Sequence, residues 1–121
     1  MPMVHMQTVR TVLALAAIED WHLWSIDISH AYLNGEMDEP VYMEQPEGFI
    51  QGDCRKVICL LNKSLYRSKQ GGQQWNKRLH EVLTKLNFMR MYSDALLYIY
   101  THGDIKTIMP IFVDDITLAS K

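Results

Sequence analysis

Two adjacent carboxylates, Asp114 and Asp115, interrupt an apolar run that starts at Ile108 and resumes at Ile116-Thr117-Leu118. A third, Asp27, lies inside Leu23-Trp24-Ser25-Ile26-Asp27-Ile28. Ionised carboxylates among strand-forming apolar residues are costly to bury unless a cation compensates them. Two such charges about 4 Å apart repel by roughly 4 kcal/mol at an effective dielectric near 20. A divalent metal with oxygen ligands converts that repulsion into binding energy. The chemistry indicated is metal-assisted phosphoryl or nucleotidyl transfer; a small metal-dependent phosphohydrolase would use the same carboxylates.

The flanking segments must bring these acids together. Successive strand residues point to opposite faces, so Asp114 and Asp115 share a site only if the pair occupies a tight hairpin turn between Val113 and Ile116. Asp27, near the end of a strand over Leu23–Ile28, must then lie beside that hairpin. Thr8 is suited to cap a helix over Val9–Ile18. Asn34-Gly35 signals a turn. Strands at Val41–Met43 and Lys56–Leu61 are expected to pair as a hairpin. Gly71-Gly72 precedes a helix with apolar positions at Trp75, Leu79, Val82, Leu83 and Leu86 and a polar face of Lys77, Arg78, Glu81 and Lys85. Strands follow at Ala95–Thr101, Lys106–Val113 and Ile116–Ala119, with Pro110 awkward because it removes a ladder donor. The fold class expected is α+β, a mostly antiparallel sheet with helices packed on one face.

With 121 residues the chain is one domain at most. No apolar run approaches the roughly 18 residues of a membrane span, and Val12–Ile18 is too short for a convincing signal core. An intracellular, non-secreted protein is therefore expected. Cys54 and Cys59 fit neither a zinc site nor a disulfide framework, and His5, His22, His30, His80 and His102 show no ligand spacing. The net charge of −2 conceals a segregation. Glu19, Asp20, Asp27, Glu36, Asp38, Glu39, Glu44, Glu47 and Asp53 fall where there is no Lys or Arg. From Arg55 to Arg78 every charged residue is basic: Arg55, Lys56, Lys63, Arg67, Lys69, Lys77 and Arg78. Such a stretch suits either a phosphate backbone or a solvated surface.

Four words in order carry a resemblance. Ser25-Ile26-Asp27-Ile28-Ser29-His30-Ala31-Tyr32-Leu33-Asn34-Gly35 resembles the first catalytic motif of copia-type retrotransposon reverse transcriptases. Val41-Tyr42-Met43-Glu44-Gln45-Pro46-Glu47-Gly48-Phe49 resembles the stretch that follows it there. Lys63-Ser64-Leu65-Tyr66, with Lys69-Gln70 and Gln74-Trp75, resembles the template-side motif, and Phe112-Val113-Asp114-Asp115 the Y-V-D-D box. The resemblance implies the palm (about residues 8–35 and 72–121) and a fingers-side hairpin with template-side motif (about 36–71) of a right-hand polymerase. It implies an RNA-directed DNA polymerase acting on an RNA or DNA template, a primer and dNTPs. Asp27, Asp114 and Asp115 would be catalytic and, with the Ile28 carbonyl, would hold Mg²⁺, with Mn²⁺ as a substitute. His30, Ala31 and Tyr32 would contact the dNTP, Tyr32 excluding a 2′-hydroxyl. Lys63, Arg67, Lys69 and Gln70 would contact nucleic acid.

Several positions depart from the pattern. Phe112 replaces the Tyr of the box, Arg67-Ser68 stands for Gly-Leu, and Gly71-Gly72-Gln73 for Ala-Pro-Arg; Pro110 is expected to deform the hairpin that aims Asp114. The family's further fingers, thumb and ribonuclease H segments would be partners within a polyprotein. The competing reading is an inactive remnant of a retroelement polyprotein, at most a weak nucleic-acid-binding module.

Overall fold

In the computed structural model, which describes residues 3–68 and 70–121, the elements run α1 (Met6–Ile18), β1 (His22–Asp27), a 3₁₀ turn (Ala31–Asn34), β2 (Tyr42–Met43), β3 (Cys59–Leu60), α2 (Gly71–Lys85), β4 (Met89–Arg90), β5 (Leu97–His102), β6 (Ile105–Phe112) and β7 (Asp115–Ser120). The chain divides into two units: residues up to Ala31 with Leu79–Lys121, and Tyr32–Arg78.

The first unit is an antiparallel sheet in the order β1-β7-β6-β5-β4 with a helix on each face. Val12 and Ala16 of α1 pack against Ile108 and Ala119, the two alanines allowing close approach. Leu97 and Ile99 join this cluster, so the pleat turns Tyr98 to the opposite face. There Tyr98, fully buried, meets α2: its hydroxyl lies 3.1 Å from His80 Nδ1 and accepts from Arg90 at 2.8 and 3.0 Å. The expectation of helices on one face is thus corrected. A sheet that buries Met109, Ile111 and Ile116 as well as Ile108 and Ala119 is apolar on both sides and needs cover on both.

The start of α1 also differs from expectation. Its N-cap is His5, with no side-chain cap bond, and Thr8 lies within the first turn. Asp94, far along the chain, supplies the cap instead. Its Oδ2 accepts from the His5 N–H at 3.1 Å and the Thr8 hydroxyl at 2.9 Å, while Oδ1 accepts from the Leu96 N–H at 3.1 Å. Burial pushes the Asp94 carboxyl upward, but these bonds and the His5 charge outweigh it and hold it below the usual range.

Pro110 sits in central strand β6 without shifting its register. Ladder pairs are present at Thr107–Ser120 and Ile108–Ala119 and again at Ile111–Ile116 and Phe112–Asp115. The Ile111 N–H bonds the Leu96 carbonyl at 2.9 Å, so alternation aims the Pro110 nitrogen at β7, where the pairing is interrupted. The expected deformation of the hairpin is absent; the cost is confined to the missing rung.

The second unit has little ladder. β2 and β3 pair through Tyr42–Leu60 and Met43–Cys59, the expected hairpin in a shorter form. The loop between them is held by the Gln45 amide, which bonds the Gln51 and Val57 carbonyls at 3.2 and 3.1 Å and accepts from the Gln51 N–H at 2.8 Å. Ser64, fully buried, donates its hydroxyl to the Tyr32 carbonyl, and its N–H to the Gly35 carbonyl at 3.1 Å. A Cβ on Gly35 would stand 2.9 Å from Gln74 Cβ and 3.0 Å from the Trp75 nitrogen. The Asn-Gly turn therefore needs its glycine for close packing.

Candidate active site

Asp27 ends β1 and Asp115 begins β7, and the two are direct antiparallel partners. The Ile28 N–H donates to the Asp114 carbonyl at 3.0 Å, which makes Asp27–Asp115 a non-hydrogen-bonded pair. Such partners bring their side chains closest, with Cβ atoms about 5 Å apart on one face. The register is enforced from behind by the pairs Ile26–Ile116, Trp24–Leu118 and His22–Ser120. Both acids are exposed, and among the described residues no lysine or arginine forms an ion pair with either.

The turn is displaced by one residue from expectation. Phe112 pairs with Asp115, so the turn consists of Val113 and Asp114 rather than of the two aspartates. Val113 has φ of 59°. Positive φ at the first central position alone is the pattern of a type II′ hairpin turn, which normally takes glycine there. A β-branched residue in that region is strained. The sequence spends this strain beside the acids, a pattern that recurs at functional sites. Asp114 is half-buried at the second turn position.

The donor set suits a hard divalent cation: facing carboxylates repel, and oxygen-bound Mg²⁺ would relieve them. Among the described residues, however, no group of three or more His, Cys, Asp or Glu side chains is already gathered to hold a metal. The fold brings Asp27 and Asp115 together, with Asp114 beside Asp115 in the turn, without closing a three-carboxylate cage.

The remaining candidates divide between the units. His30 is exposed with φ of 52°, and the Ala31 side chain is fully buried. Tyr32 is 8% exposed and its ring lies 4.3 Å from that of Tyr66, so only an edge of it is open to a ligand. Lys63 is exposed and bridges backbone to Glu36. Gln70 borders a small polar hollow with Asp38 and Gln74, where Asp38 accepts from Gln74 at 2.7 Å and lies 3.9 Å from Lys77. Lys69 lies outside the described residues. Arg67 is exposed with φ of 64°. The glycine of the related pattern thus meets a left-handed backbone here, and Arg67 keeps that conformation without glycine's freedom. Sequence reasoning missed Asp94, whose bonds to His5 and Thr8 span 89 and 86 residues, and Gln45 and Tyr98, whose partners lie 6 to 18 residues away; only a Ser-Asp turn signal marks Asp94.

Comparison with known proteins gives the family of the whole chain. The family described as "Reverse transcriptase (RNA-dependent DNA polymerase)" matches residues 1–121. The retrovirus-related Pol polyprotein from transposon TNT 1-94 of Nicotiana tabacum is 36% identical over 121 residues, covering 99% of this chain and 9% of the relative. That from transposon RE1 of Arabidopsis thaliana is 33% identical over 117 residues, 97% of this chain and 8% of the relative. The transposon Ty1-BL Gag-Pol polyprotein of Saccharomyces cerevisiae is 32% identical over 118 residues, 98% and 6%. The chain thus spans less than a tenth of the length of these relatives. No solved structure matches it. Among the described residues no helix is long and apolar enough to cross a membrane. With the four motifs in order and the match running end to end, the chain belongs to the reverse transcriptase family, on its copia-type retrotransposon branch.

Proposed function

We propose that this chain is a catalytic segment of an RNA-directed DNA polymerase, transferring nucleotides from dNTPs to a primer 3′-hydroxyl within a longer polyprotein. The observation that carries the reading is the cross-strand opposition of Asp27 and Asp115 beside the turn that holds Asp114. Asp27, Asp114 and Asp115, with the Ile28 carbonyl, would hold the divalent cation. Bound there, Mg²⁺ or Mn²⁺ would supply charge neutralisation and acidify the primer hydroxyl. Facing carboxylates lacking a lysine or arginine partner at Asp27 and Asp115 support this role. The palm assignment, about residues 8–35 and 72–121, draws support from the sheet that carries the acids; residues 36–71 are the fingers-side portion. His30, Ala31 and the open edge of Tyr32 contact the dNTP. Lys63, Arg67, Lys69 and Gln70 contact template or primer phosphates, in keeping with the acid-free stretch around them.

The test replaces the matching segment of the tobacco TNT 1-94 polyprotein with this chain and measures primer extension on an RNA template. Asp114→Asn is expected to lower extension by roughly a hundredfold or more, the scale of losing a transition-state charge stabiliser. Equal extension by the two versions, with equal soluble yield, would remove the assignment.

A further inference from the structure

Tyr32 lies in the second unit, buried but for 8% of its surface. Its backbone is pinned, the carbonyl accepting from the Gly35 N–H at 3.1 Å and from the Ser64 hydroxyl. Two residues, Tyr66 and the first residue of α2, bound its ring. The Tyr66 ring stands 4.3 Å away between centroids, tilted by 44°, near the closest approach of an aromatic pair. A Cβ added at Gly71 would come within 3.1 Å of Tyr32 Cδ1 and 2.6 Å of the Leu65 carbonyl oxygen, so bare backbone already fills that place. This wall is braced: the Leu65 carbonyl accepts from the Ser68 hydroxyl at 2.7 Å, and Ser68 Oγ accepts from the Gly71 N–H at 3.0 Å. Tyr66 itself is 47% exposed. A large ring left half in solvent gains little from burial, so its closeness to Tyr32 calls for another reason.

We propose that Tyr66 is a positioning residue for sugar selection, acting through Tyr32. It keeps the Tyr32 ring from turning away, and so keeps the ring's open edge where a ribonucleotide 2′-hydroxyl would meet it. The inference rests on the dNTP contact proposed above for Tyr32 and deepens it. A ring that selects by obstruction must not yield. With its carbonyl pinned and the Gly71 backbone against Cδ1, any space vacated at Tyr66 is space into which the ring can turn. A smaller side chain at 66 therefore lets the ring recede and admits the ribonucleotide, whereas a deoxynucleotide has no hydroxyl to be excluded and gains nothing.

The test uses the TNT 1-94 polyprotein carrying this chain and compares kcat/KM for dCTP and CTP on an RNA template. Tyr66→Leu should lower the dCTP-to-CTP ratio roughly tenfold, within the range that a displacement of about 1 Å produces, by raising kcat/KM for CTP. Tyr66→Phe keeps the ring and should keep the ratio, while Tyr32→Ala should lower it further than Tyr66→Leu. An equal loss for both nucleotides in Tyr66→Leu would mark a merely structural role and overturn the inference. So would a ratio that falls in Tyr32→Ala but not in Tyr66→Leu, or one that falls as far in Tyr66→Phe. An unchanged ratio in Tyr32→Ala, or a chimera that extends no primer, would instead remove the nucleotide contact itself and the inference with it.

Discussion

The carboxylate hairpin and the Tyr32–Arg78 unit carry motifs of the same family but hold them by different physics. In the hairpin, position is dictated by register: once Ile26 faces Ile116, Asp27 must face Asp115. In the second unit the ladder is only two short strands. The backbone is fixed instead by side chains too small to tolerate addition, and by buried polar groups such as Ser64. Ladder-held motifs tolerate the loss of a single rung, as Pro110 shows. Motifs held by close packing tolerate changes only where the side chain is exposed, as at Arg67. Both regions nevertheless hold a non-glycine residue at positive φ, Val113 in one and Arg67 in the other.

The comparison can be broken first through Asp94, which fastens the helix end in the ladder-held region. Asp94→Ala should cost about 3 kcal/mol in urea unfolding, since it strands donors that bonded a buried carboxylate. The carboxyl is held below the usual carboxylate range in the folded chain. Its contribution is therefore full above the unfolded value and is lost as the pH falls through the lower folded one. The variant should lack that part of the acid sensitivity; an unchanged acid transition would refute the role.

Gly35→Ala should cost about 2 kcal/mol, because the added methyl meets a backbone nitrogen and a Cβ that cannot swing away. Thermal unfolding no different from the parent would show that the second unit is looser than its contacts imply. Val113→Gly and Arg67→Gly should each stabilise by about 1 kcal/mol, relieving left-handed backbone at some cost in chain entropy. A loss of stability at either site would mean that its side chain makes a compensating contact. The smallest effect is expected at the acids. Asp27→Asn should stabilise the isolated chain by about 0.5 kcal/mol in low salt by removing a like-charge cross-strand pair, and the gain should shrink as salt is added. Destabilisation there would argue that a bound cation already compensates the pair.

Much of this was legible in the sequence because it rests on local periodicity. Short apolar runs located β5, β6 and β7, and the 3.6-residue repeat through Trp75, Leu79 and Leu83 located α2. The nearness of Asp27 to the Asp-Asp pair followed from requiring one site for all three. What was not legible depends on distant partners. Thr8 has the composition of a cap, yet the carboxylate that serves the helix comes from Asp94, 86 residues away. Apolar residues at Met109 and Ile111 gave no sign of which helix would cover them, so both helices were assigned to one face. The turn was misplaced by one residue because valine gives no local signal for positive φ.

Pro110 gives the hairpin a mechanical property. Its ring nitrogen carries no hydrogen, so the Thr117 carbonyl opposite receives no rung at that level, while strand contact resumes at Ile111–Ile116. The tip bearing Asp114 is thus joined to the rest of the sheet through a joint softened only on the β6 side, a few residues back. At that level β7 is held from its other side, through the Ser25–Thr117, Ile26–Ile116 and Asp27–Asp115 pairs with β1.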